Sequence, residues 1–229
     1  MAEHSQVIEE YLLILYELDR AGEKAKSVTL ASRLDTSPPT VHATVSRMQR
    51  DGLLKLSKSK EISLTKEGRV VAEDIAYRHN LAEYFLCNTL GIPWYEVHKH
   101  AHLLEHAMTP TVVIKLADFL NNPKFCPHGT PMPGTNLPEN TISLLEASPG
   151  MIVEIKMISE ELEDSIDLMK ILQKNHFLPG DQHTVIAKTE VMRAISLESK
   201  KGKSSLPFHV AEKIFVFEVL TSKPSSSLC

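Results

Sequence analysis

The chain has little cysteine, with only Cys87, Cys126 and Cys229 among its 229 residues. An odd number of widely spaced cysteines argues against a disulfide framework and fits a reducing compartment. No apolar run approaches the length of a membrane span, and the first residues lack the basic segment and apolar stretch of a secretory signal. We therefore expect a cytoplasmic protein without a membrane partner.

An excess of positive charge is also absent, because the net charge is −4. That total disfavours nucleic acid as a partner, but the charge is unevenly distributed. Residues 26–69 carry nine Lys or Arg against four Asp or Glu, whereas residues 71–148 carry four against eight. A basic segment beside an acidic one can bind DNA locally despite a negative total. The length suffices for two or three small domains.

The first fifty residues have the pattern of a helix-turn-helix. The apolar spacing predicts helices over residues 7–20 and 28–34. Ser37 followed by Pro38 marks the start of a third helix, which ends before Gly52. Two short helices with a tight turn between them, the second small and polar at its N-terminus, are typical of a module that places its second helix in the major groove.

A basic hairpin is predicted to follow the third helix. Residues 53–57 and 61–65 alternate as two strands, and the turn between them presents lysines at its tip. Such a hairpin is a wing that contacts the DNA backbone, whereas small residues at the start of the third helix approach base edges. The candidate DNA contacts are Ser37, Pro39, Thr40, His42, Ala43, Arg47, Arg50, Lys58 and Lys60. The alternative is a helical bundle with a basic loop.

One nine-residue segment is especially rich in potential metal ligands. At about 100° per residue, four of its side chains share one face of a helix, whereas His100 points to the opposite side. The four are His98, His102, Glu105 and His106. Imidazole nitrogens and a carboxylate on one face suit Mn, Fe, Co or Zn. The alternative is a solvated histidine-rich face on a DNA-binding protein that needs no metal.

The same segment also fits a catalytic pattern. His102-x-x-Glu105-His106 matches the H-x-x-E-H motif of inverted zinc peptidases, in which the two histidines bind zinc and the glutamate activates water. The motif has only three fixed residues, so chance matches are common. A zinc-dependent hydrolase would also have no use for a winged helix, and it stays the alternative function.

The middle of the chain predicts three helices, over residues 65 to about 90, 94–107 and 110–121. Their apolar faces exceed what three helices can bury among themselves, which predicts a dimer interface. Two-fold symmetry would present two recognition helices to a palindromic DNA site.

The last third predicts a small, mostly β domain. Six of the thirteen prolines lie from Pro123 to Pro149, which indicates an extended and partly mobile linker. Short apolar runs beyond it, interrupted by a helix at about 165–175, favour a small β-barrel. Residues 200–205 are expected to form a flexible loop and residues 222–229 a disordered tail.

Several stretches of the chain match one known family. They are Glu9 to Leu18, Ser37 to Leu54, Thr65 to Gly68, Arg78 to Glu83 and Val97 to His106. On these residues the sequence resembles the diphtheria toxin repressor family of metal-dependent transcriptional regulators, which includes the manganese transport regulators. The resemblance is clear over residues 7–134 and looser over 149–221.

This resemblance implies an α+β protein with an N-terminal winged helix-turn-helix, an all-α dimerisation domain and a C-terminal SH3-like β-barrel. The expected segments are a DNA-binding domain at 1–70, a helical metal-binding and dimerisation domain at 71–134, a proline-containing linker at 135–148, an SH3-like domain at 149–221 and the tail at 222–229. The implied function is a repressor of metal-uptake genes that binds palindromic operator DNA as a metal-loaded homodimer. No catalytic activity and no small-molecule substrate are expected.

The family uses two metal sites, and the resemblance implies both in this chain. The activating site would take Glu10, His102, Glu105 and His106. The ancillary site would take His79, Glu83 and His98, completed by Cys126 and His128 as in manganese-type members. Asp164 lies in a region that can reach the ancillary metal. Glu9, beside Glu10, is expected to be an exposed charge.

The activating site departs from the family pattern at two positions. Iron-type members have methionine and cysteine where Glu10 and His102 stand, and manganese-type members have aspartate and glutamate there. A set of ligands with only nitrogen and oxygen donors resembles the manganese type more closely. The resemblance therefore implies Mn(II) as the cofactor, with Fe(II) as the runner-up.

Overall fold

The computed structural model describes residues 4–219, so the predicted tail at 222–229 lies outside the described residues. Within these limits the chain is a mixed helix-and-sheet protein that divides into two compact units. The described part of unit 1 comprises residues 4–82 and 101–123, and that of unit 2 comprises residues 83–100 and 124–219. No helix in this described part is both long and apolar enough to span a membrane.

Unit 1 begins with three helices and a hairpin. The elements are α1 (Gln6–Arg20), α2 (Ser27–Arg33), α3 (Pro38–Arg50), β1 (Leu54–Leu56) and β2 (Ile62–Leu64). Ser37 caps α3, because its side chain accepts a hydrogen bond from the Thr40 backbone N–H at 3.3 Å. The two strands pair antiparallel. The three predicted helices are confirmed to within one residue at each end.

The core of unit 1 joins α1 to the helix-turn-helix. Leu12 and Leu15 of α1 are buried together with Leu30 of α2 and Val41 and Met48 of α3. The spacing of three and four residues along α1 brings its apolar side chains to one face, and burial of that face stabilises the helix. The core residues of α1 and of α3 thus belong to one cluster.

Three further helices follow. They are α4 (Lys66–Asn88), α5 (Val97–Glu105) and α6 (Pro110–Phe119). The predicted helix at 94–107 is shorter than expected at both ends, since residues 94–96 form a turn and His106 lies just beyond α5. Thr109 and Pro110 begin the next helix, which leaves no room for another turn of α5. His106 therefore projects from a turn rather than from a helix face.

Unit 2 contains a six-stranded antiparallel sheet. Its strands are β3 (Ile142–Ser143), β4 (Ile152–Ile158), β5 (Gln182–Thr189), β6 (Ala194–Ser199), β7 (Gly202–Pro207) and β8 (Ile214–Glu218), and its short helices are α7 (Glu160–Glu163), α8 (Ile166–Lys174) and α9 (Phe208–Ala211). The strand order is β3-β8-β4-β5-β6-β7. Within residues 4–219 the two edge strands, β3 and β7, do not pair with each other. The described sheet is therefore open, and the predicted closed barrel is not confirmed.

Two segments of unit 2 differ from their predicted structure. The linker prediction is wrong for residues 142–147, because β3 pairs with β8 and Leu144 and Ala147 are buried in the core. Burial of the apolar side chains in this segment stabilises its packing against unit 2, although the prolines before it favour an extended linker. The loop predicted at 200–205 is instead largely β7, which pairs with β6 along its whole length.

Candidate metal centre and nucleic-acid interface

Glu105 is the centre of a buried cluster in unit 1. Its Oε2 atom lies 2.5 Å from His79 Nδ1, and its Oε1 atom lies 3.7 Å from His102 Nδ1 and 3.4 Å from His106 Nε2. Burial by itself would raise the pKa of Glu105, but hydrogen bonds and positive charge from His102 and His79 lower that pKa to about 2. The carboxylate is therefore ionised at neutral pH although it is fully buried.

Glu10 reaches this cluster from α1. Its Oε1 atom lies 3.4 Å from His106 Nε2, the same ring nitrogen that faces Glu105. Two donor atoms bound to one ion at about 2.1 Å and separated by about 90–110° lie roughly 3.0–3.4 Å apart. The distances from His106 to both carboxylates meet this requirement, so the residues present fit a divalent cation. Separations of 3.4–3.7 Å connect the four predicted ligands in turn, from Glu10 through His106 and Glu105 to His102. The group in this cluster whose donor atoms all lie within 4.8 Å of one another is His79, His102 and Glu105.

His79 lies in unit 1, against Glu105, although the resemblance grouped it with Glu83 and His98. Those two residues belong to unit 2, where Glu83 Oε1 lies 3.1 Å from His98 Nδ1. The assignment of His79 to the ancillary site stays a prediction.

Glu9 was expected to be an exposed charge, and that expectation is wrong. Its side chain is 13% exposed, with Oε2 2.5 Å from His106 Nδ1 and Oε1 3.3 Å from Arg78 Nη2. Neighbouring glutamates on a helix point about 100° apart, so both can turn inward when two other helices pack against α1. Sequence reasoning missed this residue because nothing in the Glu9-Glu10 pair shows how wide the buried face is.

A second cluster of histidines and carboxylates lies in unit 2. Glu83 of α4 places Oε1 3.1 Å from His98 Nδ1 and Oε2 3.3 Å from His128 Nδ1. Glu163 of α7 places Oε2 3.1 Å from His98 Nδ1 and 2.8 Å from His128 Nδ1. All four residues are buried. Each carboxylate thus faces both imidazoles, and most of these separations are those expected of ligands that share one cation.

Cys126 completes this second cluster, because its sulfur and one donor atom each of Glu83 and His128 lie within 4.8 Å of one another. Burial raises the pKa of the Cys126 thiol well above its ordinary range. His128 Nε2 lies 3.0 Å from the Trp94 carbonyl oxygen, to which it donates, so Nδ1 presents its lone pair to the carboxylates when the ring is neutral.

The histidines of this cluster are strongly affected by their neighbours. Burial lowers the pKa of His98, but hydrogen bonds to Asp164, Glu163 and Glu83 raise it well above the usual value. Burial likewise lowers the pKa of His128, but the negative charges of Glu163 and Glu83 outweigh burial and raise this pKa well above the usual value. The buried carboxylates therefore favour the protonated forms of both histidines.

Asp164 and Glu163 differ sharply in burial. The Asp164 side chain is 59% exposed and its Oδ1 atom lies 3.5 Å from His98 Nε2, whereas Glu163 is buried between two histidines. Sequence reasoning named Asp164 and missed Glu163, because the acidic run from Glu160 to Asp164 offers no signal that separates its members. Only the direction of α7 decides which carboxylate turns inward.

The predicted DNA contacts lie on the surface of unit 1. All nine side chains are exposed: Ser37, Pro39, Thr40, His42, Ala43, Arg47, Arg50, Lys58 and Lys60. The first five stand at the start of α3, the arginines in its last turn and the lysines at the β1–β2 turn. This arrangement is that of a recognition helix and a basic wing.

A winged helix joined through one core to a buried histidine–carboxylate cluster defines a class, the metal-responsive DNA-binding proteins. Comparisons with known proteins agree. Residues 3–62 match the iron dependent repressor N-terminal DNA binding domain, and residues 65–134 match the iron dependent repressor metal binding and dimerisation domain.

Three relatives illustrate the likeness. The iron-dependent repressor IdeR of Mycobacterium tuberculosis is 37% identical over 197 residues, which cover 81% of this chain and 86% of that protein. The diphtheria toxin repressor of Corynebacterium jeikeium is 40% identical over 126 residues, covering 55% of this chain and 52% of that protein. The structure of the manganese regulator SloR superposes with a TM-score of 0.79 at 29% identity, covering 93% of this chain and 98% of that one.

The chain therefore belongs to the family of iron- and manganese-dependent transcriptional repressors, with a DNA-binding domain and a metal-binding and dimerisation domain. The resemblance inferred from the sequence is confirmed. The zinc-hydrolase alternative is not supported, since both family matches are to domains of a transcriptional repressor.

Proposed function

We propose that this protein represses metal-uptake genes by binding palindromic operator DNA as a homodimer when Mn(II) is abundant, with Fe(II) as the runner-up. The observation that carries the proposal is the contact of Glu10 with His106, which also faces Glu105, because Glu10 belongs to α1 whereas Glu105 ends α5 and His106 follows it. α1 shares its hydrophobic core with the recognition helix α3. A site built from both elements can therefore control the position of α3.

The activating site in this proposal consists of Glu10, His102, Glu105 and His106. The ancillary site consists of His79, Glu83, His98, Cys126, His128 and Asp164, and we add Glu163 because its carboxylate faces both histidines of unit 2. The proposed DNA contacts are the nine exposed residues of α3 and the wing. Ser37, Pro39, Thr40, His42 and Ala43 approach bases, and Arg47, Arg50, Lys58 and Lys60 reach phosphates.

The mechanism follows from the charges of the activating site. Glu10 and Glu105 both face His106 Nε2, and two carboxylates in one place repel each other. A bound divalent cation would supply the positive charge that offsets this repulsion. Glu10 would then be held beside His106, and the core that α1 shares with α3 would fix the recognition helix. Metal can favour the DNA-binding conformation only to the extent that it binds this conformation more tightly than the conformation that does not bind DNA.

The choice of Mn(II) rests on the donor atoms. The activating ligands are imidazole nitrogens and carboxylate oxygens, without the sulfur donors that favour later transition metals. Glu10 also contributes a negative charge that methionine would lack. The relatives are named as iron-dependent in one case and as a manganese regulator in another, which fits these two metals.

The homodimer in this proposal uses the helical part of unit 1. Leu103, Ile114 and Phe119 expose most of their apolar side chains there, and a second copy would cover them.

We propose the domain limits 1–70, 71–134 and 149–221. A proline-containing linker joins the second domain to the third, and its extended part ends where β3 begins. We also propose that the last domain is SH3-like, which its antiparallel six-stranded sheet supports. The proposal includes a cytoplasmic location, no membrane partner, no catalytic step and no small-molecule substrate.

The test is operator binding by the full chain, followed by fluorescence anisotropy and titrated anaerobically with Mn(II), Fe(II) and Zn(II). We expect Mn(II) to induce operator binding at a physiologically accessible free concentration. A chelator should reverse this binding. Operator binding that is equally tight in chelator would contradict the metal-sensing function.

A further inference from the structure

We propose that Glu9 is a positioning residue of the activating site, which holds His106 in the tautomer and orientation needed for metal binding, and that Arg78 in turn fixes Glu9. This inference deepens the proposed function and rests on it. Glu9 is not among the ligands that the family resemblance supplies. Its role is inferred from the contacts of the His106 ring.

The two ring nitrogens of His106 face different partners. Nδ1 lies 2.5 Å from Glu9 Oε2, and Nε2 lies 3.4 Å from both Glu10 Oε1 and Glu105 Oε1. Because a carboxylate only accepts hydrogen bonds, the neutral ring carries its hydrogen on Nδ1 and presents the Nε2 lone pair to the other ligands. A carboxylate on the outer nitrogen of a metal-binding histidine also raises the basicity of the inner one.

Arg78 of α4 connects Glu9 to the end of α5. Its Nη2 atom lies 3.3 Å from Glu9 Oε1 and 3.1 Å from Asp74 Oδ2, and its Nη1 atom donates to the Glu105 backbone oxygen at 2.9 Å. That oxygen belongs to the last turn of α5, where carbonyl groups lack partners within the helix. The rigid fork of one guanidinium thus fixes both Glu9 and the backbone of a metal ligand.

Both carboxylate oxygens of Glu9 already have partners, and neither of these partners is the Nε2 atom of His106. Oε2 pairs with His106 and Oε1 with Arg78, so Glu9 acts through His106 rather than as a ligand. A purely structural ion pair between Glu9 and Arg78 would change stability and leave metal affinity alone. The experiment has to separate these two roles.

Glu17 offers a matched control on the same helix. Its carboxylate pairs with Arg33 at 2.7 Å, and its side chain is 16% exposed, close to the value for Glu9. Glu9→Gln and Glu17→Gln therefore each remove one charge from a similarly buried glutamate–arginine pair of α1. Only the first of these substitutions touches His106.

The measurement is the Mn(II) affinity of the full-length protein by isothermal titration calorimetry, for the class of site that His106→Ala removes. We expect Glu9→Gln to weaken this class about 10–100-fold, as for other residues that orient a metal-binding histidine. Glu17→Gln should stay within about twofold of the unchanged protein, a shift far below that range. Melting temperatures of the metal-free proteins give the structural effect of each change.

A spectroscopic signature tests the tautomer itself. In the Co(II)-substituted protein, a histidine bound through Nε2 shows a hyperfine-shifted proton on Nδ1 that exchanges with solvent, and the signal of His106 is identified by its loss in His106→Ala. Glu9→Gln should speed the exchange of this proton, and Glu17→Gln should not. If Glu9→Gln does not fold, Glu9→Asp replaces it under the same criteria, because its shorter side chain moves the carboxylate away from Nδ1.

Unchanged Mn(II) affinity and unchanged proton exchange in the Glu9 variant would overturn the inference. A loss of affinity equal to that of Glu17→Gln would also overturn it, since the role would then be structural. If His106→Ala removes no class of site, the proposed function fails as well. If His106→Ala removes one and the Glu9 variant binds normally, only the positioning role is wrong.

Discussion

Glu105→Gln probes the buried charge on which the activating site depends. The substitution keeps the shape of the side chain and removes the negative charge that faces His79, His102 and His106. In the metal-free protein this charge is stabilised by the histidines. We therefore expect a loss of folding stability as well as a loss of metal binding.

The pKa of Glu105 gives the magnitude. Its fall from 4.5 to about 2 corresponds to about 3 kcal/mol at about 1.4 kcal/mol per unit. Because the folded-state pKa lies below the unfolded one, this stabilisation is complete above about pH 4.5 and is lost as the pH falls toward 2. At pH 7 the metal-free Glu105→Gln protein should therefore be less stable by about 3 kcal/mol.

The assay is urea denaturation of the metal-free protein at pH 7, with chelator present. Asp19→Asn serves as the control, since the Asp19–Arg69 pair is about half exposed and such surface pairs contribute only about 1 kcal/mol or less. A loss for Glu105→Gln no greater than that of the control would refute the reasoning, because the buried carboxylate would then not be stabilised by its histidines.

Three further predictions concern DNA, metal choice and the second cluster. Lys60→Ala should weaken all DNA sequences about equally and reduce the salt slope of binding by about one unit, whereas weakening confined to the operator would show base recognition by the wing. The double change Glu10→Met with His102→Cys should shift operator activation from Mn(II) toward Fe(II), Co(II) or Ni(II), measured as the ratio of half-activating concentrations; an unchanged ratio would mean that these donors do not set selectivity. Glu163→Gln should weaken Mn(II) binding in unit 2 by at least about tenfold and Asp164→Asn by less, as measured by calorimetry, and the reverse order would assign the ligand to Asp164.

The helices of unit 1 could be predicted because local signals define them. Ser37 and Pro38 begin α3, and the apolar spacing of α1 matches the face that it buries. The grouping of Glu10 with His102, Glu105 and His106 came from the family resemblance. A period of 3.6 residues alone could not have found it, because His106 lies beyond α5 and Glu10 is on another helix.

The missed features depend on long-range packing. Glu9 and Glu163 each stand beside another acidic residue, and only the elements packed around them determine which carboxylate is buried. β7 contains Gly202, Lys203, Ser204 and Ser205 and has Leu206 as its one large apolar residue, so the sequence gives no alternating apolar pattern that would predict its pairing with β6. The segment from 142 to 147 was hidden by the prolines before it, although its leucine and alanine side chains fill the core of unit 2.

The most direct test of metal sensing compares operator affinity in saturating Mn(II) with that in chelator, for the unchanged protein, His106→Ala and His100→Ala. His100 lies on α5 and is exposed, so it controls for the loss of a histidine from the same segment. We predict that Mn(II) tightens binding roughly 5–150-fold for the unchanged protein and for His100→Ala, the range typical of allosteric coupling, and has no effect for His106→Ala. An undiminished Mn(II) effect in His106→Ala would contradict the central claim that this cluster is the sensor.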